Sequence, residues 1–253
     1  MLAAPAAAGA ATTVISKNWG GYAVKSRSGA KFRKVAGTWI VRKPDCATRS
    51  PAYSAAWVGI GGFGQGARAV EQTGVDADCT SAGKRRFTAW YEMLPAPSRR
   101  ISMTVHGGDR ISASVTVKGT QTTVRMRNRT TGAAFSKTVT VPSPDRRSAE
   151  WIVEAPSSCD GGGSCSFLPL ADFGTVPFSA ATAATGQDAM QPISSSAFSV
   201  FKIFLRTAGT APGTSDGAAP SALGPRGMGF SVAYRDDLPA PSGRAKRLPA
   251  GAH

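Results

Sequence analysis

The sequence predicts an all-β protein whose short strands form antiparallel sheets, arranged as a sandwich or a barrel. Two observations predict this fold class. The 253-residue chain is rich in turn-forming residues, with 29 Gly and 17 Pro, whereas the helix former Glu occurs only four times. From residue 19 onward, short strand-like segments follow one another at close spacing with turn residues between them, which is typical of sandwiches and barrels.

Alternation of apolar and polar residues gives the clearest evidence for individual strands. In RISASVTVK, residues 110–118, every second side chain is apolar, which predicts that one face of the strand is buried and the other faces solvent. Turn residues at 118–120 and 130–132 indicate tight hairpins and therefore antiparallel neighbours. The predicted strands are residues 18–25, 32–41, 53–62, 69–77, 86–94, 101–107, 110–118, 122–130, 135–141, 148–156, 171–183, 199–206 and 228–236.

The chain is predicted to form one β domain over residues 14–237. Residues 1–13, which are rich in Ala, resemble the small-residue end of an export segment and are expected to be a disordered leader remnant. Residues 207–225 form a Gly, Ala, Pro and Ser run without periodicity, which predicts a long loop. Residues 238–253 have the same character and are expected to be a disordered tail.

Four cysteines predict disulfides and an extracellular location. None of them lies in a CxxC pair with histidine partners, so a zinc site is not supported. Of the three possible pairings, Cys159 with Cys165 is the most economical, because glycines in CDGGGSC permit a tight return. Cys46 with Cys79 then follows by elimination. No run of about 18 apolar residues occurs, so we expect no membrane insertion.

The formal net charge of +15 raises the question of a nucleic-acid partner. The basic residues are scattered, and the one dense strip places Arg125, Arg127 and Arg129 at a period of two, on one side of a strand. No aromatic residues interleave with these arginines as a platform for single-stranded nucleic acid would require. The pattern therefore favours a solvated outer sheet face over nucleic-acid binding.

The residue types available for catalysis are few. The only imidazoles are His106 and His253, no GxSxG nucleophile motif occurs, and no HExxH zinc motif occurs. A serine hydrolase or a zinc protease is therefore disfavoured, and no metal or cofactor is expected. The remaining candidates are carboxylates, among them Glu92 and Glu150, which lie in aromatic strand-like segments where an unpaired charge is costly. From burial alone, a structural role for either is the simpler interpretation.

Six motifs occur in a fixed order over residues 16–207: NWGGYAV, SAAWVGIGG, EQTGVD, AWYEMLP, SAEWIVEAP and LADFGTVPFSAATA. In order and spacing they resemble the motifs of the glutamic peptidases, the eqolisin family. The resemblance implies an antiparallel two-sheet β-sandwich of the jelly-roll or concanavalin-like kind, with a concave sheet that holds an extended peptide. It also implies a secreted, acid-active endopeptidase, expected here as a monomer that acts on proteins or peptides.

Within these motifs, the resemblance identifies Gln72 with the catalytic glutamine and Glu150 with the catalytic glutamate. Glu150 is chosen over Glu154 on motif position, although both project from the same face of a strand. Glu150 would activate water and return its proton to the leaving nitrogen, while Gln72 would stabilise the oxyanion. Supporting roles near the cleft are expected for four further residues: Trp57, Asp76, Trp90 and Glu92.

Two other functions are compatible with this sequence. One is a glycan-binding protein or a glycosidase that uses Glu92 and Glu150 as paired carboxylates, since aromatic residues near carboxylates suit sugars. Gln72 discriminates against it, because a glycosidase would not require this amide. The other is an inactive basic binding module on the same scaffold, against which the presence of both Gln72 and Glu150 argues.

Overall fold

The computed structural model describes residues 10–67, 69–159, 165–207, 216–236 and 246–247. This part of the chain contains strands and turns but no α-helix, and so no helix that could cross a membrane. The strands are β1 (Thr12–Ser16), β2 (Trp19–Ser26), β3 (Phe32–Ile40), β4 (Ala55–Gly61), β5 (Val70–Cys79), β6 (Arg85–Met93), β7 (Ala96–Arg100), β8 (Arg110–Lys118), β9 (Gln121–Asn128), β10 (Ala134–Thr140), β11 (Ala149–Glu154), β12 (Ser157–Cys159), β13 (Cys165–Phe167), β14 (Thr175–Thr185), β15 (Gln191–Pro192), β16 (Phe198–Arg206), β17 (Gly217–Pro220), β18 (Phe230–Arg235) and β19 (Lys246–Arg247).

The strands form two layers, which confirms the predicted antiparallel β-sandwich. The front sheet runs in the order β7-β6-β5-β4-β11-β2-β16, with every neighbouring pair antiparallel. The back sheet runs in the order β10-β9-β8-β3-β14-β18-β17 and is also antiparallel. The layers are joined where the end of β16 pairs with β17. Strand β1 departs from this pattern, because it lies parallel to β16.

The main apolar core lies between the two sheets. Strand β11 shows how the sequence builds it, because Trp151 and Val153 point inward and are almost completely buried. The indole N–H of Trp151 donates to the carbonyl oxygen of Ala36 in the back sheet at 2.8 Å. A Cβ at Gly37 would lie 2.9 Å from the Trp151 ring, so this contact between the layers requires glycine there.

A second apolar cluster lies on the outer face of the front sheet. It brings together side chains that the alternation of strands directs away from the main core, including Trp19, Ala23, Trp57, Phe63 and Val70. Trp19 and Trp57 meet edge to face with ring centroids 5.0 Å apart. An outer sheet face would ordinarily be solvated, so this cluster closes one end of the face and leaves the other end open.

Several predicted boundaries need correction. Thr12 and Thr13, assigned to the leader, belong to β1, because pairing with β16 satisfies their backbone groups. Within the predicted loop 207–225, residues 217–220 form β17, and within the predicted tail 238–253, residues 246–247 pair with β1. The remainder of the leader up to residue 9, of the loop at 208–215 and of the tail lies outside the described residues.

One predicted strand, residues 101–107, does not form. The preceding segment, APSRR, occupies the edge of β6 as β7 instead. Ile101 and Val105 are nevertheless buried, which explains the strand-like apolar pattern. The hairpins at 118–120 and 130–132 are confirmed, with Gly119 and Gly132 in the positive-φ conformation that these turns need.

The cysteine arrangement supports an oxidised protein. Cys46 and Cys79 form a disulfide, as predicted. The short strands β12 and β13 place Cys159 opposite Cys165 in an antiparallel ladder. The side chain of Cys159 lies outside the described part of the chain, so the bond from Cys159 to Cys165 stays a prediction.

Candidate active site

The candidate site lies on the outer face of the front sheet, at its open end. Strand β4 is the centre of this region, with β5 on one side and β11 on the other. Gln72 on β5 and Glu150 on β11 both lie opposite Gly59, whereas Asp76 and Glu154 both lie opposite Ala55. Because residues opposite each other in a sheet share a face, all four side chains project from the outer face.

An open cleft of about 390 Å³ runs over this end of the sheet. It contains one amide and several carboxylates, and of the two glutamates on β11 only Glu154 lines it. The lining comprises Tyr53, Ala55, Gln72, Asp76, Asp78, Thr88, Trp90, Glu92, Ser98, Arg100, Glu154, Pro156 and Ser157. The cleft therefore brings together four of the predicted site residues, Gln72, Asp76, Trp90 and Glu92, but not Glu150.

Gln72 is fixed by its neighbour on β6. Its Nε2 donates to a carboxylate oxygen of Glu92 at 2.6 Å, and the two residues are direct cross-strand partners. The Gln72 side chain is 2% exposed, and its Oε1 accepts no hydrogen bond from the described residues. The Glu92 contact therefore sets the orientation of the amide, while one polar atom of Gln72 stays available to another group.

Glu154 is held by two N–H donors, both from side chains. The indole Nε1 of Trp57 donates to one carboxylate oxygen at 2.7 Å, and Nδ2 of Asn18 donates to the other at 3.0 Å. Two such bonds fix the orientation of this carboxyl group. Trp57, predicted as a supporting residue, is completely buried and contacts the site through its N–H.

Asn18 is in turn fixed by the turn between β1 and β2. The Ser16 hydroxyl donates to the Asn18 Oδ1 at 3.2 Å, and the Trp19 backbone N–H donates to the same hydroxyl oxygen at 3.1 Å. Both Ser16 and Asn18 are at least 95% buried. A buried polar chain thus runs from this turn to the carboxylate of Glu154. Sequence inspection missed Asn18, whose signal was a polar residue directly before the buried strand that begins at Trp19.

Glu150 lies on the same face, level with Gln72. It is fully buried, and neither carboxylate oxygen is hydrogen-bonded by a described residue. Burial raises its pKa well above the ordinary 4.5, the negative charges of Asp145 and Glu71 act in the same direction, and the Lys25 ammonium opposes the rise. Burial therefore favours the neutral form of this carboxyl group.

Asp76 is a second carboxyl group with an altered pKa, and it lies in the cleft. Burial raises its pKa to about 8, the nearby charge of Asp78 adds to the rise, and the hydrogen bond from Trp90 opposes it. The Trp90 indole N–H donates to Asp76 Oδ1 at 2.6 Å. At acid pH Asp76 is thus neutral, and its second oxygen can carry a proton that donates to a ligand.

Gly74 determines how the aromatic side chains pack beneath the cleft. It lies between Trp57 on β4 and Trp90 on β6 in one row across the sheet. A Cβ at this position would lie 2.6 Å from the Trp57 Cβ and 2.9 Å from the Trp90 ring. Glycine therefore allows both indoles to approach β5, so that the Trp90 N–H reaches Asp76 on β5 and the Trp57 N–H reaches Glu154 on β11.

Together, these groups form an open cleft on a β-sandwich with an oriented amide, a carboxyl group held by N–H donors, and an acid with a raised pKa. This arrangement defines a class of protein that can hold a polar ligand in the cleft and transfer a proton through a carboxyl group. Its reagents are an amide and carboxylates rather than an imidazole or a thiolate.

The sequence profile of the Peptidase A4 family matches residues 17–210, and the chain belongs to this family. Aspergillopepsin-2 of Aspergillus niger is 36% identical over 152 residues, which are 57% of this chain and 51% of that protein. The chain thus spans about half the length of this curated relative. These similarities confirm the family that the six sequence motifs predicted.

Solved structures of glutamic peptidases have the same fold. Scytalido-glutamic peptidase, crystallised with a transition-state analogue inhibitor, superimposes with a TM-score of 0.69 at 29% identity, covering 87% of this chain and 98% of that one. SCP-B, an eqolisin in complex with the tripeptide Ala-Ile-His, gives 0.58 at 26% identity, covering 87% and 98%. Aspergilloglutamic peptidase from Aspergillus niger gives 0.57 at 29% identity, covering 73% and 99%.

Proposed function

We propose that this chain is a secreted, acid-active endopeptidase in which Gln72 and Glu150 form the catalytic pair. The observation that carries the proposal is that both side chains project from the outer face opposite Gly59, with buried polar oxygens that no described residue hydrogen-bonds. Membership of the Peptidase A4 family supports the peptidase activity. The tripeptide in the related SCP-B complex supports proteins and peptides as substrates.

In the proposed reaction, Glu150 acts first as a base and then as an acid. As a carboxylate it takes a proton from a water molecule while the water oxygen attacks the scissile carbonyl carbon. The carbonyl π bond opens, and its electron pair moves to the oxygen. When the tetrahedral intermediate collapses, the carbonyl re-forms, Glu150 gives the proton to the leaving nitrogen and the C–N bond breaks. The carboxylate is then restored for the next cycle.

Gln72 stabilises the negative charge that develops on the carbonyl oxygen. The Glu92 contact holds the amide in place before substrate binds, so little reorganisation is needed in the transition state. Asp76, neutral below about pH 8, supplies a further hydrogen-bond donor in the same cleft. Gln72 and Asp76 are both uncharged at acid pH, so the proton chemistry falls to Glu150 alone.

The choice of Glu150 over Glu154 is supported by the register of the front sheet. Gln72 and Glu150 lie in one row across β4, whereas Glu154 lies four residues further along β11. From the spacing of strands and residues in a sheet, the Cα atoms of Gln72 and Glu154 are roughly 16 Å apart, which is too far for both side chains to act on one carbonyl group. Glu154 is instead engaged by Trp57 and Asn18, which supports a positioning role beside the cleft.

Acid activity and secretion are supported by different features. The pKa values of three carboxyl groups are raised by burial, to about 8 for Glu71 and Asp76 and well above the ordinary value for Glu150, so acid conditions favour their uncharged forms. The disulfide between Cys46 and Cys79 supports an oxidising compartment. We accordingly place the working environment of the enzyme outside the cell and at low pH.

Two matched variants test the proposal, Glu154→Gln and Glu150→Gln. Both change one carboxyl group of β11 to an amide of the same shape. With denatured protein as substrate at about pH 4, we expect Glu150→Gln to lose activity by about 10³-fold or more and Glu154→Gln to lose only about tenfold. Thermal melting at the same pH controls for folding.

Each alternative outcome has a distinct meaning. Loss of activity in a folded Glu154→Gln variant, with Glu150→Gln active, would move the assignment to Glu154. Full activity in both would exclude β11 as the source of the base. Release of reducing sugar from polysaccharides without cleavage of protein would favour a glycosidase instead.

A further inference from the structure

A groove with only positive charges crosses the solvent face of the back sheet, on the side of the sandwich opposite the cleft. We call it the basic groove. It encloses about 650 Å³, and every charged side chain that lines it is a lysine or an arginine: Lys34, Arg125, Arg127 and Arg129. The three arginines alternate along β9 and its end, at roughly 7 Å intervals given the rise of a strand.

The charge of the basic groove is not balanced within the described protein. There, the ion pairs of arginine or histidine with acidic side chains involve Arg49, Arg86, His106 and Arg147. None of the four groove cations takes part in one, and the three arginines are exposed. Since the whole chain carries +15, this face is a place where positive potential accumulates without a local counter-charge.

The floor of the basic groove is rich in hydroxyl groups. On β8, Ser114 lies opposite Arg125 and Ser112 lies opposite Arg127. The Ser112 hydroxyl shares a hydrogen bond with Thr38 at 2.9 Å and accepts one from Arg129 Nε at 3.1 Å. These short polar side chains keep the floor below the arginines and offer both donors and acceptors. A hydroxyl-rich ligand can satisfy them.

Aromatic stacking does not contribute to the groove. Its single aromatic side chain, Phe135, is stacked against Tyr91 with centroids 5.9 Å apart and packs on the main core. Base stacking normally supplies much of the affinity for single-stranded nucleic acid. The exposed apolar side chains of the groove are the alanines Ala134 and Ala180, not the large side chains that an interfacial membrane contact needs. A groove that offers positive charge and hydroxyl groups, without an aromatic ring available for stacking, favours a polysaccharide as its ligand.

We propose that the basic groove binds a sulfated or phosphorylated polysaccharide, which tethers the protein by the face opposite its cleft. Arginine keeps its charge at every working pH and pairs with the oxygens of sulfate or phosphate esters. The preference for strong-acid esters over carboxylates rests on the acid activity proposed above, because sugar carboxylates lose charge there. The groove itself requires no catalytic activity.

A triple variant, Arg125→Gln, Arg127→Gln and Arg129→Gln, tests the groove, and heparin serves as the sulfated probe. The matched control, Lys84→Gln, Arg226→Gln and Arg235→Gln, removes the same charge from exposed sites outside the groove. At about pH 4.5 and about 0.1 M salt, we expect the groove variant to bind about tenfold or more weakly, with a shallower salt dependence. The control should stay within about twofold of wild type.

Peptide cleavage should be unchanged in the groove variant, so failure of the groove and failure of the catalytic proposal are distinguishable. Equal weakening of both triple variants would overturn the proposal, because net charge alone would then explain binding. A single-stranded oligonucleotide that binds more tightly than heparin and depends on the same arginines would assign the groove to nucleic acid. A folded groove variant that binds heparin as tightly as wild type would also refute the proposal that the basic groove binds an anionic polysaccharide.

Discussion

The two ends of β11 place chemically identical side chains in different environments. Glu150 lies between Gly59 and Ala23 in the sheet and is fully buried, without an N–H donor from the described residues. Glu154 lines the cleft and accepts hydrogen bonds from Asn18 and Trp57. The oxygens of Glu150 therefore stay available to water and substrate, whereas those of Glu154 are engaged by the protein.

This difference shows that the role of a glutamate in this sheet is set by side chains from other strands. The apolar cluster on the outer face includes Trp19, Phe63 and Val70. Trp57 belongs to this cluster and also donates to Glu154. One indole therefore contributes to the apolar cluster and orients a carboxyl group of the cleft.

The largest effect expected beyond Glu150 itself comes from Gln72. Gln72→Ala removes the oriented amide, and loss of one oxyanion donor typically lowers kcat by about 10²–10³-fold. The fall should appear in kcat for a defined peptide, with KM changed little. Glu92→Gln is the matched control, because it keeps the contact with Gln72 but removes the charge that fixes the amide. If Gln72→Ala retained wild-type kcat, the site would lose its proposed oxyanion donor.

Buried carboxyl groups should control stability at neutral pH. In the unfolded chain Glu71 titrates near 4.5, whereas in the folded protein burial raises its pKa to about 8. Between these values the folded state holds the extra proton, so stability falls as pH rises through this window. Glu71→Gln should therefore be more stable than wild type at pH 7, by about 3 kcal/mol, and differ little at pH 4.

Glu150→Gln should change stability in the same direction, because burial also raises the pKa of Glu150. Urea unfolding of wild type and both variants at the two pH values measures the effect. Wild-type stability that rises from pH 5 to pH 8 would contradict the raised pKa values.

Asn18 tests the open end with a smaller effect. Asn18→Ala removes one of the two N–H donors to Glu154, and we expect kcat to fall about tenfold because the carboxylate is less well oriented. Ser16→Ala removes only the hydroxyl group that holds Asn18 in place, so it should lower kcat by less than Asn18→Ala does. Steady-state kinetics on one peptide ranks the three proteins, and a larger loss for Ser16→Ala would exclude the proposed polar chain.

The smallest effect is expected at Asp76. Its carboxyl group is protonated below about pH 8, so Asp76→Asn exchanges one neutral group for another that can still accept from Trp90. Activity at about pH 4 should stay within about threefold of wild type. Asp76→Ala removes the polar group and should lower activity more than Asp76→Asn does. Equal losses of activity in both variants would mean that the ionised form of Asp76 is needed.

Sequence patterns predicted the strands best where apolar and polar residues alternate. Residues 110–118 form β8 with the predicted bounds, because its inward side chains are apolar and its outward ones are polar. Strands β7, with the sequence APSRR, and β17, with GAAP, escaped prediction. Both owe their conformation to pairing with a neighbouring strand rather than to their own composition.

The site was predictable to the level of its motifs, whereas the side chains that support it were not all predictable. Gln72, Asp76, Trp90 and Glu92 line the cleft together. The support of Glu154 depends on a residue distant in sequence, because Asn18 lies 136 positions away. Strand periodicity places Glu150 and Glu154 on one face, and only the pairing of the strands shows which of them is level with Gln72.

The most direct test of the proposed pair is a crystal structure of this protein with a peptide transition-state analogue. We predict that the group mimicking the tetrahedral carbon places its hydroxyl oxygens within roughly 2.6–3.2 Å of the Gln72 amide and the Glu150 carboxyl group. Glu154 should keep its hydrogen bonds from Trp57 and Asn18. An analogue that contacts Glu154 instead, with Glu150 buried and out of reach, would contradict the account.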